Sequence, residues 1–153
     1  MDPKKALAKA MNYCARGEKA PGDVRKKLVG WGLFPDQVKE ILSCLYKDDF
    51  INEERYSLAF VRDKLKFNSW GRIKIRHHLR AKELKESAID NAIAEIDEAA
   101  YHEKLSDLLA AKYHSLPDKD ELMQTKAKLL RFAASRGFEA NAIYPVLEKI
   151  IKK

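Results

Sequence analysis

The sequence predicts an all-α fold: a tandem repeat of three three-helix units forming an elongated, curved body. Three observations predict it. Apolar residues recur at spacings of three and four, as in Leu7, Ala10, Met11, Cys14, then Val38, Ile41, Leu42, Leu45, then Ile89, Ala92, Ile93, Ile96. Strong helix formers dominate, and alternating β-branched runs bounded by turns are missing. Third, five apolar positions return in register. Leu28, Leu33, Val38, Leu42 and Leu45 fall 51 residues before Leu79, Leu84, Ile89, Ile93 and Ile96, and Ala133, Phe138, Ile143, Leu147 and Ile150 lie 54 residues further on.

The elements follow from the breaks between periodic runs. Pro21 suits a first helical turn after Gly17. Gly30 and Gly32 stop one helix before Pro35 starts the next, Asn68 to Gly71 form a turn, Ser115 to Asp118 another, and Gly137 the last. Helices are therefore expected over 3–16, 21–31, 35–47, 52–67, 71–82, 86–97, 99–115, 119–136 and 139–151. They group into repeats at 1–50, 51–98 and 99–153. A unit of about 50 residues buries part of its apolar surface alone and gains by stacking on its neighbour. The residue before each central turn is Gly32, Glu83 and Gly137. Glycine there ends a helix in the left-handed conformation, so Glu83 predicts a different ending for the middle helix. Pro145 predicts a late start or a kink in the last one.

Charge is segmented by sign. The net charge is +7 over 153 residues, yet 62–82 alone carry +7, 83–121 carry −7 and 122–153 carry +5. Between Lys64 and Lys82 there is no carboxylate. A basic middle of this kind favours a polyanionic partner over idle solvation. The two cysteines, Cys14 and Cys44, stand in no paired motif and read as small apolar filler in a reducing compartment. No run approaches the roughly 18 apolar residues of a membrane span. The N-terminal MDPKKALAKA lacks a secretory apolar segment. A cytoplasmic protein without a membrane partner is expected.

Catalytic signatures are lacking. The run Asp48 to Glu54 reads as a helix start, with Asn52 as N-cap and Glu53 and Glu54 in the first turn, rather than as a metal site. The four histidines have no ligand spacing, and adjacent His77 and His78 diverge by about 100° on a helix. No GxSxG, phosphate loop or Cys/His pair is present. An enzyme, a metal or a cofactor is not expected.

Projected on a helix, Ile75 and Leu79 make the buried strip of 71–82. Arg76 and Arg80 flank it on one side and Lys82 on the other, while Lys74 and His78 point outward. Arg72 sits at the helix N-terminus, where its charge opposes the dipole and must be held by another group. Arg62 and Lys66 are one turn apart on the preceding helix. Trp70 is most simply a hydrophobic anchor, and alternatively a stacking surface. The candidate contacts to nucleic acid are Arg62, Lys64, Lys66, Trp70, Arg72, Lys74, Arg76, Arg80 and Lys82. Val24, Leu28, Ile75, Leu79, Phe132 and Phe138 are assigned to structure.

The segment INEERYSLAFVRDKLKFNSWGRIKIRHHLRAKEL resembles the central module of the RecX regulators of bacterial RecA recombinase. The matching positions are Glu53-Glu54-Arg55-Tyr56, Phe60-Val61-Arg62, Gly71, Lys74, Ile75, Leu79 and Lys82. RKKLVGWGL and LLRFAASRGFEANAI resemble the flanking modules. Lys74, His78 and Glu83 stand where the family pattern has Arg, Glu and Gly, and Lys74 keeps the charge without the two-pronged donor. The resemblance implies tandem three-helix modules. It also implies a non-enzymatic, monomeric modulator of the RecA filament that binds single- and double-stranded DNA with little sequence preference. The competing expectations are a helix-turn-helix regulator using 52–67 and 71–82, and a helical-repeat adaptor that binds protein alone.

Overall fold

A computed structural model describes residues 1–117 and 121–151. Among the described residues it holds nine helices and no strand: α1 (Pro3–Ala15), α2 (Pro21–Gly30), α3 (Pro35–Lys47), α4 (Glu53–Asn68), α5 (Arg72–Ala81), α6 (Glu86–Ala94), α7 (Glu98–Ser115), α8 (Leu122–Ser135) and α9 (Ala140–Ile151). The fold is all-α and built of three-helix repeats. Prolines open α1, α2 and α3, where the amide they lack has no helical partner to lose. The expected start of the eighth helix at 119, and Asp118 in the break before it, lie outside the described residues.

One expectation is corrected. The middle helix ends as its counterparts do: φ is +84° at Gly32, +67° at Glu83 and +91° at Gly137. The amides of Leu33, Leu84 and Phe138 then reach back five residues to the carbonyls of Leu28, Leu79 and Ala133 at 3.4, 3.4 and 3.2 Å. These are the repeat positions of the sequence, closed by the same helix cap three times. Glu83 accepts the left-handed conformation while its carboxylate holds Arg25 at 2.6 Å. Pro145 lies inside a helix that runs from Ala140 to Ile151, so of the two expected outcomes the late start does not occur. The carbonyl released by the missing amide belongs to exposed Asn141, where water can meet it.

The chain divides into two compact units, Met1–Ala59 with His78–Ala92, and Phe60–His77 with Ile93–Lys153. The divisions fall inside α4, α5 and α6, so each of these helices contributes to both units. The first unit is cored by residues of α1 to α3, with Leu28 and Leu45 fully buried. In the second, Tyr101, Leu105, Leu109, Leu129 and Ile143 are fully buried among α7, α8 and α9. Each fully buried Leu or Ile contributes about 1.5–3 kcal/mol. Ile75 and Leu79, the predicted strip of α5, are both at 0% exposure.

Backbone docking recurs within each unit. In the first, the Gly22 amide at the start of α2 donates to the Lys82 carbonyl just past α5 at 2.9 Å. In the second, the start of α5 meets the end of α8: Gly71 N–H donates to the Arg136 carbonyl at 2.7 Å and Ile73 N–H to that of Gly137 at 3.0 Å. A helix N-terminus rich in unpaired donors is thus joined to a C-terminus rich in unpaired acceptors. Only glycine permits the approach, since a Cβ on Gly71 would stand 2.4 Å from the Gly137 carbonyl carbon and one on Gly22 would stand 2.8 Å from the Lys82 oxygen.

Candidate polyanion interface

The nine candidate residues separate into groups with different surroundings. Arg72, Arg80 and Lys82 are tied to the chain's own acids. Arg72 is partly buried; its guanidinium lies over the Tyr101 ring at 4.0 Å and pairs with Glu139 at 2.9 Å and with Glu98. Its backbone amide donates to the Tyr101 hydroxyl at 2.9 Å, and that hydroxyl donates to Glu139. Burial pushes the Tyr101 hydroxyl well above its usual pKa, helped by Glu139. For Arg72 burial works downward, but Glu139, Tyr101 and Glu98 together outweigh it and the pKa is raised. The group that holds Arg72 against the helix dipole is therefore this carboxylate–phenol pair.

Arg80 pairs with Glu86, its Nη2 lying 3.1 Å from the carboxylate. Lys82 Nζ is 2.9 Å from Asp23, whose hydrogen bond raises the lysine's pKa. The helix is thus neutralised by the chain's own acids at Arg80 and Lys82, counter to the reading of it as an open polyanion contact, while Arg72 is held as its place at the helix N-terminus requires. The acids are distant in sequence from the helix they neutralise, which is why a window over 64–82 does not reveal them.

Lys64, Trp70 and Lys74 form a second group. Ser69 takes φ +51° after α4, and the Trp70 amide turns back to the Lys64 carbonyl at 3.1 Å. This turn lays the indole beside α4, where Phe60 meets it edge-on with centroids 6.2 Å apart. Lys64 and Lys74 place their ammonium groups 5.0 and 4.7 Å from the indole centroid. Lys74, expected to point outward, is instead half-buried, because it stands one turn after Trp70 and lies along the ring. Each such contact is worth about 0.5–1 kcal/mol at an exposed site. Among the described residues neither lysine has an ion-pair partner. The two ammoniums lie within about one Debye length at 0.1 M salt, roughly 10 Å, so their repulsion is only partly screened.

Arg62 and Lys66 project from another side of α4 and line a groove with α7. Arg76 is half-buried on α5. Sequence reasoning missed two further cations. Lys104 donates to the Lys66 carbonyl at 2.9 Å and Arg136 to that of Asn68 at 3.3 Å, both at the C-terminal end of α4, where positive charge suits the dipole. The acidic run is taken up by local structure. Asn52 accepts from the Arg55 amide at 3.0 Å, and Arg55 pairs with Asp49 and Glu18 at 2.7 and 2.9 Å. Among the described residues no group of potential ligands is placed to hold a metal, and no helix is long and apolar enough to cross a membrane.

Fold and site together define a tandem three-helix-repeat protein whose central module carries a cation–aromatic cluster. A family model described as "RecX, second three-helix domain" matches residues 52–93. A relative from Clostridium botulinum named "Regulatory protein RecX" is 29% identical over 143 residues, covering 93% of this chain and 66% of its own length. The "Crystal structure of RecX from Lactobacillus salivarius" superposes with a TM-score of 0.86 at 21% identity over 99% of this chain and 97% of that one, a likeness of fold. The "Crystal structure of regulatory protein RecX" gives 0.82 at 25% identity, over 99% and 72%. Over residues 52–93 the chain matches the second three-helix domain of RecX, and the relatives that it resembles along most of its length are named regulatory proteins. It spans 66% of the length of the first clostridial relative that it matches.

Proposed function

We propose that this chain regulates RecA by binding the RecA–DNA filament in its helical groove, inhibiting recombinase and ATPase activity in DNA repair, recombination and the SOS response of the cytoplasm. The chain acts as a non-enzymatic monomer and also binds single- and double-stranded DNA with little sequence preference. The observation that carries this reading is the Lys64–Trp70–Lys74 cluster, in which two ammoniums converge on one indole with no carboxylate among the described residues to neutralise them. A phosphate backbone supplies the missing charge and releases counterions on binding. Three modules in one chain multiply weak contacts along a repetitive filament. Occupation of the groove hinders entry of a second duplex.

The helix-turn-helix alternative is less well supported. A recognition helix reads bases with its N-terminal residues, and the first turn of α5 is committed to α8 through Gly71, Arg72 and Ile73. The test is binding of labelled DNA and of RecA–DNA filaments by anisotropy across a salt series. Lys64→Glu/Lys74→Glu should weaken both and lower the slope of log K against log salt by about 1.8, two phosphates' worth. Unchanged affinity and slope would remove this cluster from the mechanism.

A further inference from the structure

The groove between α4 and α7 differs in kind from the Trp70 cluster. It has a volume of about 710 Å³, with Leu65, Phe67 and Ala100 along its apolar part. Phe67 is 72% exposed, unusual for so large an apolar side chain. Arg62 and Lys66 stand one turn apart on the α4 side with Asp63 beside them, and Glu103 and Asp107 one turn apart on the α7 side, where the intervening Lys104 is tied to the Lys66 carbonyl at 2.9 Å. Arg62, Lys66, Glu103 and Asp107 make no ion pair among the described residues, although opposite charges line one groove. Elsewhere in the same unit Arg72 finds two carboxylates.

The geometry points to a docking site for an amphipathic helix of a protein partner, carrying acids on one edge, bases on the other and an apolar strip between. Ridges with a four-residue spacing repeat every ~6 Å, the spacing of like positions on a partner helix. The acidic edge answers Arg62 and Lys66, the basic edge answers Glu103 and Asp107, and the apolar strip covers Phe67 and Ala100. A polyanion is a poor occupant, because Asp63, Glu103 and Asp107 balance the groove's three cations and leave it no net positive charge. Arg62 and Lys66 thereby leave the set of phosphate contacts and become protein contacts. The inference is independent of the Trp70 cluster, so either can fail alone.

The probes are three side-chain-stapled helical peptides with a common leucine strip, bearing mixed edges, two acidic edges or two basic edges. Exchanging the edges is no control, since a helix lying in the opposite direction restores the match. Anisotropy with the full chain should show the mixed peptide binding at least tenfold tighter than either single-sign peptide. Arg62→Glu/Lys66→Glu should turn the preference to the basic peptide, and Ala100→Trp, which fills the groove, should abolish binding of all three. Circular dichroism confirms that both variants keep their helices. Failure of the mixed peptide to saturate, or equal binding of all three, overturns the proposal. Preference of the wild type for the acidic peptide reassigns the groove to polyanions. A wild-type dimer in sedimentation, dissociated by Arg62→Glu/Lys66→Glu, reassigns it to a second copy of this chain.

Discussion

Gly71→Ala tests the docking of α5 on α8. The new Cβ would stand 2.4 Å from both the carbon and the oxygen of the Gly137 carbonyl and 2.5 Å from the Phe138 nitrogen. Ordinary carbon contacts lie at about 3.5–4.0 Å, so the two backbones must part by roughly 1 Å. That opening takes the Gly71–Arg136 bond from 2.7 Å and the Ile73–Gly137 bond from 3.0 Å beyond hydrogen-bonding range. Two lost bonds at about 1 kcal/mol net each, with a further penalty for groups left unsatisfied, give a destabilisation of about 2–5 kcal/mol. At about 2–4 °C per kcal/mol the melting temperature falls by roughly 4–20 °C. Urea denaturation followed by circular dichroism measures it. Gly30→Ala is the control: its Cβ meets nothing within 4 Å at the end of α2. That change should be neutral or stabilise by up to about 1 kcal/mol. A Gly71→Ala protein within about 0.5 kcal/mol of wild type, the usual range of a surface change, refutes the docking argument.

Arg72→Met leaves Glu139 without its cation beside Tyr101, and should cost about 1–3 kcal/mol in the same denaturation assay, with Glu139→Gln recovering part of it in a double-mutant cycle. Glu83→Gly relieves a left-handed residue, about 1 kcal/mol, while losing an exposed ion pair worth about 0.2–1 kcal/mol, so its urea midpoint should match or exceed wild type. The hydrogen bond from Arg25 holds the Glu83 carboxyl below its ordinary pKa of 4.5. A depressed pKa stabilises the fold above the unfolded value and is lost as pH falls through the folded one. Glu83→Gln should therefore flatten the acid limb of stability below pH 4.5 and leave its shape at neutral pH unchanged. Arg80→Ala should lower filament affinity less than Lys64→Ala in parallel anisotropy titrations, because Glu86 already neutralises Arg80.

Helix positions were legible because period and punctuation agree: Pro21 and Pro35 begin helices, and Leu28, Leu79 and Ala133 are buried at equivalent places. The repeat was legible for the same reason, since a stacked module must present the same apolar positions each time. What remained hidden depends on partners remote in sequence. Asp23 lies 59 residues from Lys82 and Glu139 lies 67 from Arg72, so neither neutralisation follows from local charge. Gly71 was legible as a turn but not as a contact, because the carbonyls it approaches belong to Arg136 and Gly137, just past α8 and remote in sequence. Glu83 misled because its left-handed conformation is allowed at a modest cost, with Arg25 holding the side chain. Arg62, Lys64 and Lys66 read as one basic stretch, yet Lys64 turns to Trp70 while Arg62 and Lys66 turn to α7.

The most direct measurement is DNA-dependent ATP hydrolysis by RecA with wild-type chain and with Lys64→Glu/Lys74→Glu, each at low and at physiological salt. The account predicts inhibition by the wild type, stronger at low salt, and a weaker effect of the variant under both conditions. Hydrolysis unchanged by the wild type, or inhibited equally by the variant, would contradict it.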